Sequence, residues 1–305
     1  MRVFVTGASG WIGSAVVPEL IAAGHQVVGL ARSDAAAEAV GAAGAEVRRG
    51  TLADLDVLRS AADASDGVIH LAFQHDLAFS GHFEAAAEAN RLAVEAFGEV
   101  LAGSDRPLSL ASGTLGLAPG RVAVEGDGLG PNAPGAGGGL GIRHETARAT
   151  IALASRGVRS SVVGLAPTIH GEGDQGFMAT LVAIARDKGV AGYIGDGSQR
   201  WPATHRLDAA RLFRLALEKA PAGSALHGVA EEGVPLRTVA EAIGRHLGVP
   251  VASVDPQDAA EHFTWLAGFL SADSPASSVH TRELLGWHPT HPGLVEDLDK
   301  GHYFA

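Results

Sequence analysis

Along the chain, short Val, Ile and Leu runs alternate with Ala-rich stretches whose apolar residues recur at helical spacing. Runs that are apolar throughout suit strands buried on both faces, and the amphipathic stretches between them suit helices that cover those faces. The pattern predicts strands at Arg2–Thr6, Gln26–Leu30, Ala45–Arg49, Gly67–Leu71, Pro107–Ala111 and Arg159–Gly164, each followed by a loop and a helix. Six such units predict an α/β fold built on a Rossmann-type, doubly wound parallel sheet. The longest helices are expected at Gly81–Leu101 and Arg143–Ser155; both are apolar on more than one side, which points to a partner subunit and a homodimer. Between Ala118 and Gly141 the chain is dense in Gly, Pro and Asn without periodicity, and is read as a mobile loop able to serve as a lid.

After Pro167 the pattern changes to scattered helices between Gly-rich loops, with short apolar runs near Val190–Ile194 and Ala225–Val229. The expected division is residues 1–165 as one domain, to which 200–228 return, and 166–305 as a smaller substrate lobe. Trp201, His205, His262, Phe263, Trp265, Trp287 and His288 fall mostly in that second half, where substrate selection is expected. Asp208 precedes a helix at Ala209–Glu218 and reads as its N-cap.

Composition narrows the function classes. The chain has 305 residues, 46% of them hydrophobic, with 34 acidic against 23 basic side chains and a formal charge of −11. That balance repels a phosphate backbone, so nucleic acid is not an expected partner. Cysteine is absent, which leaves neither disulfides nor a thiolate metal site. No metal-ligand spacing of histidines and carboxylates occurs, and no metal is expected. No membrane span or signal segment is read, and a cytoplasmic location is expected.

Candidate chemistry begins at Val3–Gly13, where a glycine-rich turn follows a buried strand and opens a helix. Gly7 permits the tight turn, Gly10 lets a pyrophosphate approach the backbone, and Gly13 allows the helix to pack on the sheet, with Ser9, Trp11 and Ile12 beside them. The helix N-terminus then faces phosphates. At the end of the second strand the chain carries Ala31-Arg32-Ser33 in place of an acidic residue. Arg32 can grip a 2′-phosphate and Ser33 can add a hydrogen bond, which favours NADP(H) over NAD.

These motifs, with Gly50-Thr51-Leu52, His70-Leu71-Ala72, Ala111-Ser112-Gly113-Thr114, Ala166-Pro167-Thr168-Ile169-His170-Gly171 and Leu285-Gly286-Trp287-His288-Pro289, make the chain resemble the extended short-chain dehydrogenase/reductases. That superfamily includes nucleotide-sugar epimerases and dehydratases and proteins like 3β-hydroxysteroid dehydrogenase. The resemblance implies that Thr51 and Leu52 lie near the adenine, Leu71 and Ala72 near the nicotinamide-side ribose, and Pro167, Thr168 and Ile169 beside the nicotinamide. It places Ser112 at the family's catalytic serine.

The resemblance also implies a Tyr and a following Lys about twenty-five positions beyond that serine, the usual proton relay. The matching window, Gly137-Gly138-Gly139-Leu140-Gly141-Ile142-Arg143-His144-Glu145, has neither, and the chain's two tyrosines are Tyr193 and Tyr303. Three readings compete. The first is an NADPH-dependent carbonyl or imine reductase of a small or medium apolar substrate, with Arg143 or His144 standing in for the missing pair. The second is an NADP(H)-binding sensor without chemistry. The third is a nucleotide-sugar epimerase or dehydratase. Ser112 and Thr114 are candidate donors to the substrate, and Gln74, His170 and Trp201 are candidate pocket walls.

Overall fold

The computed structural model describes residues 1–129 and 138–305, apart from the side chains of Phe79 and of residues 138–140. Seven strands make the main sheet: β1 (Arg2–Thr6), β2 (Gln26–Ala31), β3 (Glu46–Arg49), β4 (Gly67–His70), β5 (Pro107–Gly113), β6 (Arg159–Leu165) and, much later, β10 (Ser224–Gly228). All pair in parallel, in the order β10-β6-β5-β4-β1-β2-β3. The interior strands are apolar on both faces because helices cover both. Helices Gly13–Ala22 and Arg206–Lys219 bury one face around Val3, Val5, Ile69 and Phe213. Helices Leu55–Asp63, Phe83–Leu101 and Gly138–Ala152 bury the other, around Phe4, Val68, Phe97 and Leu108.

The remaining strands are β7 (Thr168–His170), β8 (Ala191–Ile194), β9 (Arg200–His205), β11 (Glu231–Pro235) and β12 (Val251–Val254). They form a three-stranded sheet β11-β9-β7 and a pair β12-β8. Helices Phe177–Lys188 and Leu236–Leu247 close a separate core around Trp201, Leu236, Ile243 and Phe263. From that lobe the chain crosses back through helix Arg206–Lys219 and β10 to complete the main sheet.

Of the expected loop, residues 130–137 lie outside the described residues. Residues 118–129 are tied down rather than free. Ala123 bridges to Ala276, and the buried Glu125 carboxylate accepts from both the amide and the hydroxyl of Thr281 at 2.8 and 2.9 Å.

Asp208 is not the N-cap. The helix begins earlier, at Arg206, and the imidazole of His205 caps it by accepting from the Leu207 amide. The Asp208 carboxylate is buried one turn in, where it accepts from the amides of Thr290 and His291, each at 3.0 Å, and from the His291 ring at 2.9 Å. It therefore anchors a segment some eighty residues away in the chain. Asp208→Ala is expected to destabilise the protein by about 2–4 kcal/mol, since it leaves two inward amides without an acceptor. The denaturant midpoint measures this; an unchanged midpoint would mean that water replaces the carboxylate.

Candidate functional site

The strand order reverses on either side of β1, so a crevice opens beyond the carboxyl ends of β1 and β4, where doubly wound sheets bind ligands. Its floor is the turn after β1. Gly7 sits at φ +69°, and the Gly10 amide donates to the Gly7 carbonyl at 3.0 Å. A Cβ on Gly13 would lie 2.0 Å from the Gly7 oxygen, and one on Gly7 would lie 2.9 Å from the Ala72 nitrogen. Both positions exclude a side chain. Gly10 differs: it is exposed, and a Cβ there meets only the Gly7 oxygen, at 3.2 Å. The space above Gly10, between Ser9 and the start of the helix at Gly13, is a cradle that fits a pyrophosphate.

The Trp11 indole donates to the Ile169 carbonyl at 2.9 Å, with the Arg206 guanidinium 4.5 Å over its ring. This joins the glycine turn to the segment after β6 that runs into β7, where Pro167 and Ile169 are half-buried. Thr168 is buried, and its hydroxyl has no partner among the described residues. At the other end of the crevice Arg32 is exposed and pairs at 3.0 Å with Asp76, itself open to solvent. Such a pair is weak and readily exchanged. Ser33 accepts from the Ala36 amide and caps helix Asp34–Ala42, with its own proton left to donate. The Thr51 amide and hydroxyl donate to Asp54, holding that carboxyl below its usual range. Leu52 is buried in the core and has its backbone to offer an adenine.

Ser112 ends β5 half-buried, and its hydroxyl makes no hydrogen bond among the described residues. Together with His144 it lines a crevice of about 330 Å³, whose other polar walls are Glu125, Asp127 and His227. His227 donates from Nδ1 to the Ser277 carbonyl at 2.8 Å, which leaves Nε2 as an acceptor. Burial lowers the pKa of both histidines; for His144 the charges of Arg148 and Arg143 add to this. Both are mainly neutral at neutral pH. Glu125 and His227 are not candidates in the sequence; the local signal for His227 is a polar residue in the middle of the apolar run at Ala225–Val229.

Arg143, the neighbour of His144 on helix Gly138–Ala152, is not among the residues that line this crevice. Its guanidinium lies 4.0 Å over the Phe73 ring, just beyond β4, and burial brings its pKa to about 10, so it remains a cation at neutral pH. Gln74, next to Phe73 in the chain, is half-buried, with a side-chain amide that makes no hydrogen bond among the described residues.

Three expected site residues lie in the interior. Thr114 is buried and spends its hydroxyl on the Leu165 carbonyl at 3.3 Å. His170 is buried with Nδ1 against Asp297 at 3.0 Å, and its Nε2 has no partner among the described residues. Trp201 is 1% exposed in the second core, with its indole donating to the Ala272 carbonyl. The aromatic surface falls instead to other rings of that lobe: Trp265 is 46% exposed, and Phe177 and Phe269 pack with it at ring distances of 5.8 and 6.0 Å. Leu115, just past Ser112, packs against the core of the second lobe, as do Phe177 and Phe269. Neither tyrosine reaches the crevice: Tyr303 donates to Asp174 at 3.0 Å, and Tyr193 lies under Arg237 in the second lobe. An apolar void of about 390 Å³ in the second core is lined by residues such as Leu181 and Ile243 and lacks groups for chemistry.

The sequence profile of the NAD dependent epimerase/dehydratase family matches residues 3–106. An uncharacterized protein of Schizosaccharomyces pombe is 46% identical, with both chains covered in full, and one of Saccharomyces cerevisiae is 45% identical over 98% of each. A 4-hydroxy-2-methyl-3-oxo-4-farnesyl-3,4-dihydroquinoline-1-oxide ketoreductase of Stigmatella aurantiaca is 40% identical over 72 residues, 24% of this chain and 22% of its own. Among solved structures, UDP-glucose 4-epimerase of Thermotoga maritima superposes with a TM-score of 0.79 at 20% identity, over 100% of this chain and 98% of that one. The dTDP-glucose 4,6-dehydratase of Streptomyces venezuelae, solved with NAD, gives 0.75 at 20% identity over 98% and 96%. These two likenesses are of fold.

Gly10→Ala should keep the fold yet weaken dinucleotide binding by about tenfold or more, because its methyl group occupies the cradle. Titration calorimetry with NADP+ decides; unaltered affinity in a folded variant would place the pyrophosphate elsewhere.

Proposed function

Because this chain belongs to the NAD dependent epimerase/dehydratase family, we propose that it works as a reductase of a C=O or C=N bond, drawing on NADPH. The observation that carries this reading is the crevice at the end of β5, where the unpaired Ser112 hydroxyl and the His144 imidazole share one wall-to-wall space. The reduced nicotinamide, when bound, supplies the hydride. Ser112 donates a hydrogen bond to the substrate oxygen or nitrogen. As the substrate carbon gains the hydride, His144 passes a proton to that heteroatom and regains one from solvent, leaving an alcohol or an amine. An iminium substrate already carries the positive charge and asks less of a histidine that burial keeps neutral. The short match to a ketoreductase is in keeping with this chemistry. A sugar-nucleotide epimerase of this family's usual kind draws on the tyrosine for its base, and the glycine-rich window has no tyrosine.

NADP(H) is favoured because Arg32 and Ser33 stand at the end of β2, where no carboxylate repels a 2′-phosphate. The same reading takes the protein as a cytoplasmic homodimer packed through helices Phe83–Leu101 and Gly138–Ala152, the first of which leaves Leu92 exposed. The aromatic set around Trp265 supplies an apolar wall.

Arg32→Ala should weaken NADPH by about tenfold or more while NADH changes little, given what a charge-assisted contact contributes. Equal effects on both cofactors would remove the 2′-phosphate from Arg32. Turnover is measured as loss of NADPH absorbance over ketones, aldehydes and cyclic imines. Tight NADPH binding without oxidation across the whole panel would favour the sensor.

The pKa of His144 lies below its ordinary value, so its acid form grows as pH falls. Ketone turnover should therefore rise from about pH 7.5 to about pH 5.5. His144→Gln should flatten that rise and slow turnover by roughly a hundredfold without loosening NADPH. An intact rise in the variant would assign the proton to another group.

A further inference from the structure

At one end of the crevice beside Ser112, two hydrogen-bond acceptors lack a donor among the described residues. Ser112, Gly164 and His227 are register partners on β5, β6 and β10, so they stand in one row on one face of the sheet. Gly164 leaves the middle of that row open: a Cβ there would lie 3.0 Å from Cδ2 of His227 and 3.5 Å from its Nε2. The imidazole edge thus leans across Gly164 toward Ser112. With Nδ1 donating to the Ser277 carbonyl, Nε2 is an acceptor, and it has no partner among the described residues although His227 is 2% exposed.

Glu125 is tied to His227 through one hydroxyl: Thr281 accepts from the His227 amide at 2.8 Å and donates to Glu125 Oε1 at 2.9 Å. Both bonds that Glu125 accepts fall on Oε1. Its Oε2 accepts none among the described residues, and no ion pair there neutralises this carboxylate, which is 4% exposed. Residues 130–137 add no Lys or Arg. Asp127, in the same wall, is already matched by Arg121, which donates to its two oxygens at 2.6 and 2.5 Å. The charges that act on His227 are the Glu125 and Asp127 carboxylates, whereas those that act on His144 are Arg148 and Arg143. The crevice is therefore polarised, with its acceptors and its unmatched negative charge at the His227 end.

We propose that this end receives an ammonium group of the substrate, so that the compound reduced is an amino ketone, an amino aldehyde or the corresponding imine. This rests on the reductase reading and gives it a substrate class. An ammonium has three N–H bonds, enough for Glu125 Oε2 and His227 Nε2 with one left for water. A hydroxyl has a single proton for the two acceptors, and a carboxylate has none. Ser112 and His227 lie two strands apart, roughly 10 Å, a span that a carbonyl and an amine about five to seven bonds apart would bridge.

The test uses the whole protein saturated with NADP+, which has no hydride to give. 4-Acetylbenzylamine is titrated calorimetrically at about pH 7.5 against 4-acetylbenzyl alcohol and N-acetylated 4-acetylbenzylamine, which share its skeleton without the charge. The amine should bind about tenfold or more tighter than either, the range of a charge-assisted contact. Glu125→Gln keeps an amide oxygen for both Thr281 donors; it should erase the preference while moving NADP+ affinity by less than about twofold. His227→Gln probes the second acceptor and should cut the preference at least about threefold, which keeps the proposal refutable if Glu125→Gln does not fold. A preference that survives in both folded variants would assign the cation to another group and overturn the proposal. Equal binding of the three ligands, as expected if water alone serves the two acceptors, or no binding of the amine, would overturn it as well. A preference lost in the variants, with no oxidation of NADPH by any carbonyl or imine compound, would uphold the ammonium site and sink the reductase reading. Oxidation of NADPH by ketones without any amine preference would do the reverse.

Discussion

The turn after β1 is the constraint on which the site depends. With a Cβ at Gly13 it would collide with the Gly7 carbonyl at 2.0 Å, and with one at Gly7 it would collide with the end of β4 at Ala72. Only without those atoms can helix Gly13–Ala22 lie down on the sheet while β1 and β4 run side by side to the same edge. The Thr6 hydroxyl then reaches both the Ala72 amide at 3.2 Å and the His70 ring at 2.5 Å. Burial takes His70 to about 4, so it stays a neutral strut. The cradle above Gly10 and the Phe73 platform below Arg143 are thus positioned by one close backbone approach.

A second regularity separates structure from site. The buried carboxylates that hold the molecule together have several donors each. Asp208 has three donors and Glu125 has two, while Asp297 stays ionised because the hydrogen bond from His170 and nearby histidine charges outweigh its burial. Ser112, His144 and Arg143 have no hydrogen-bond partners among the described residues, although all three are partly buried at one sheet edge. Unmet hydrogen-bonding capacity beside a crevice is where an absent ligand is expected to complete the set.

The sheet was legible in the sequence because its strands are buried on both faces and bounded by turns; β1 to β6 begin and end within two residues of the apolar runs. The glycine turn was legible because each glycine has a separate steric duty. What escaped was tertiary. Trp201 and Trp265 look alike in sequence, but β9 is buried almost throughout and takes its indole inward, whereas Trp265 sits in the middle of the short turn Thr264–Leu266 and is 46% exposed. Asp208 fits the capping rule locally, yet its acceptor atoms are claimed by Thr290 and His291. No spacing links Ser112 to Glu125 or His227, since β10 comes beside β6 only after a second lobe has been built between them.

That late arrival of β10 bears on how the chain reaches its native state. Strand β6 ends at Leu165, but its outer neighbour begins at Ser224. As the chain emerges during synthesis, six strands can assemble while β6 still presents a bare rank of amides and carbonyls. Parallel pairing across such a sequence gap is slow, because the loop must close before the contact repays it. The nascent sheet is therefore vulnerable to sticking edge-on to another chain for as long as the intervening lobe takes to appear, and β10 acts as the cover that ends this exposure.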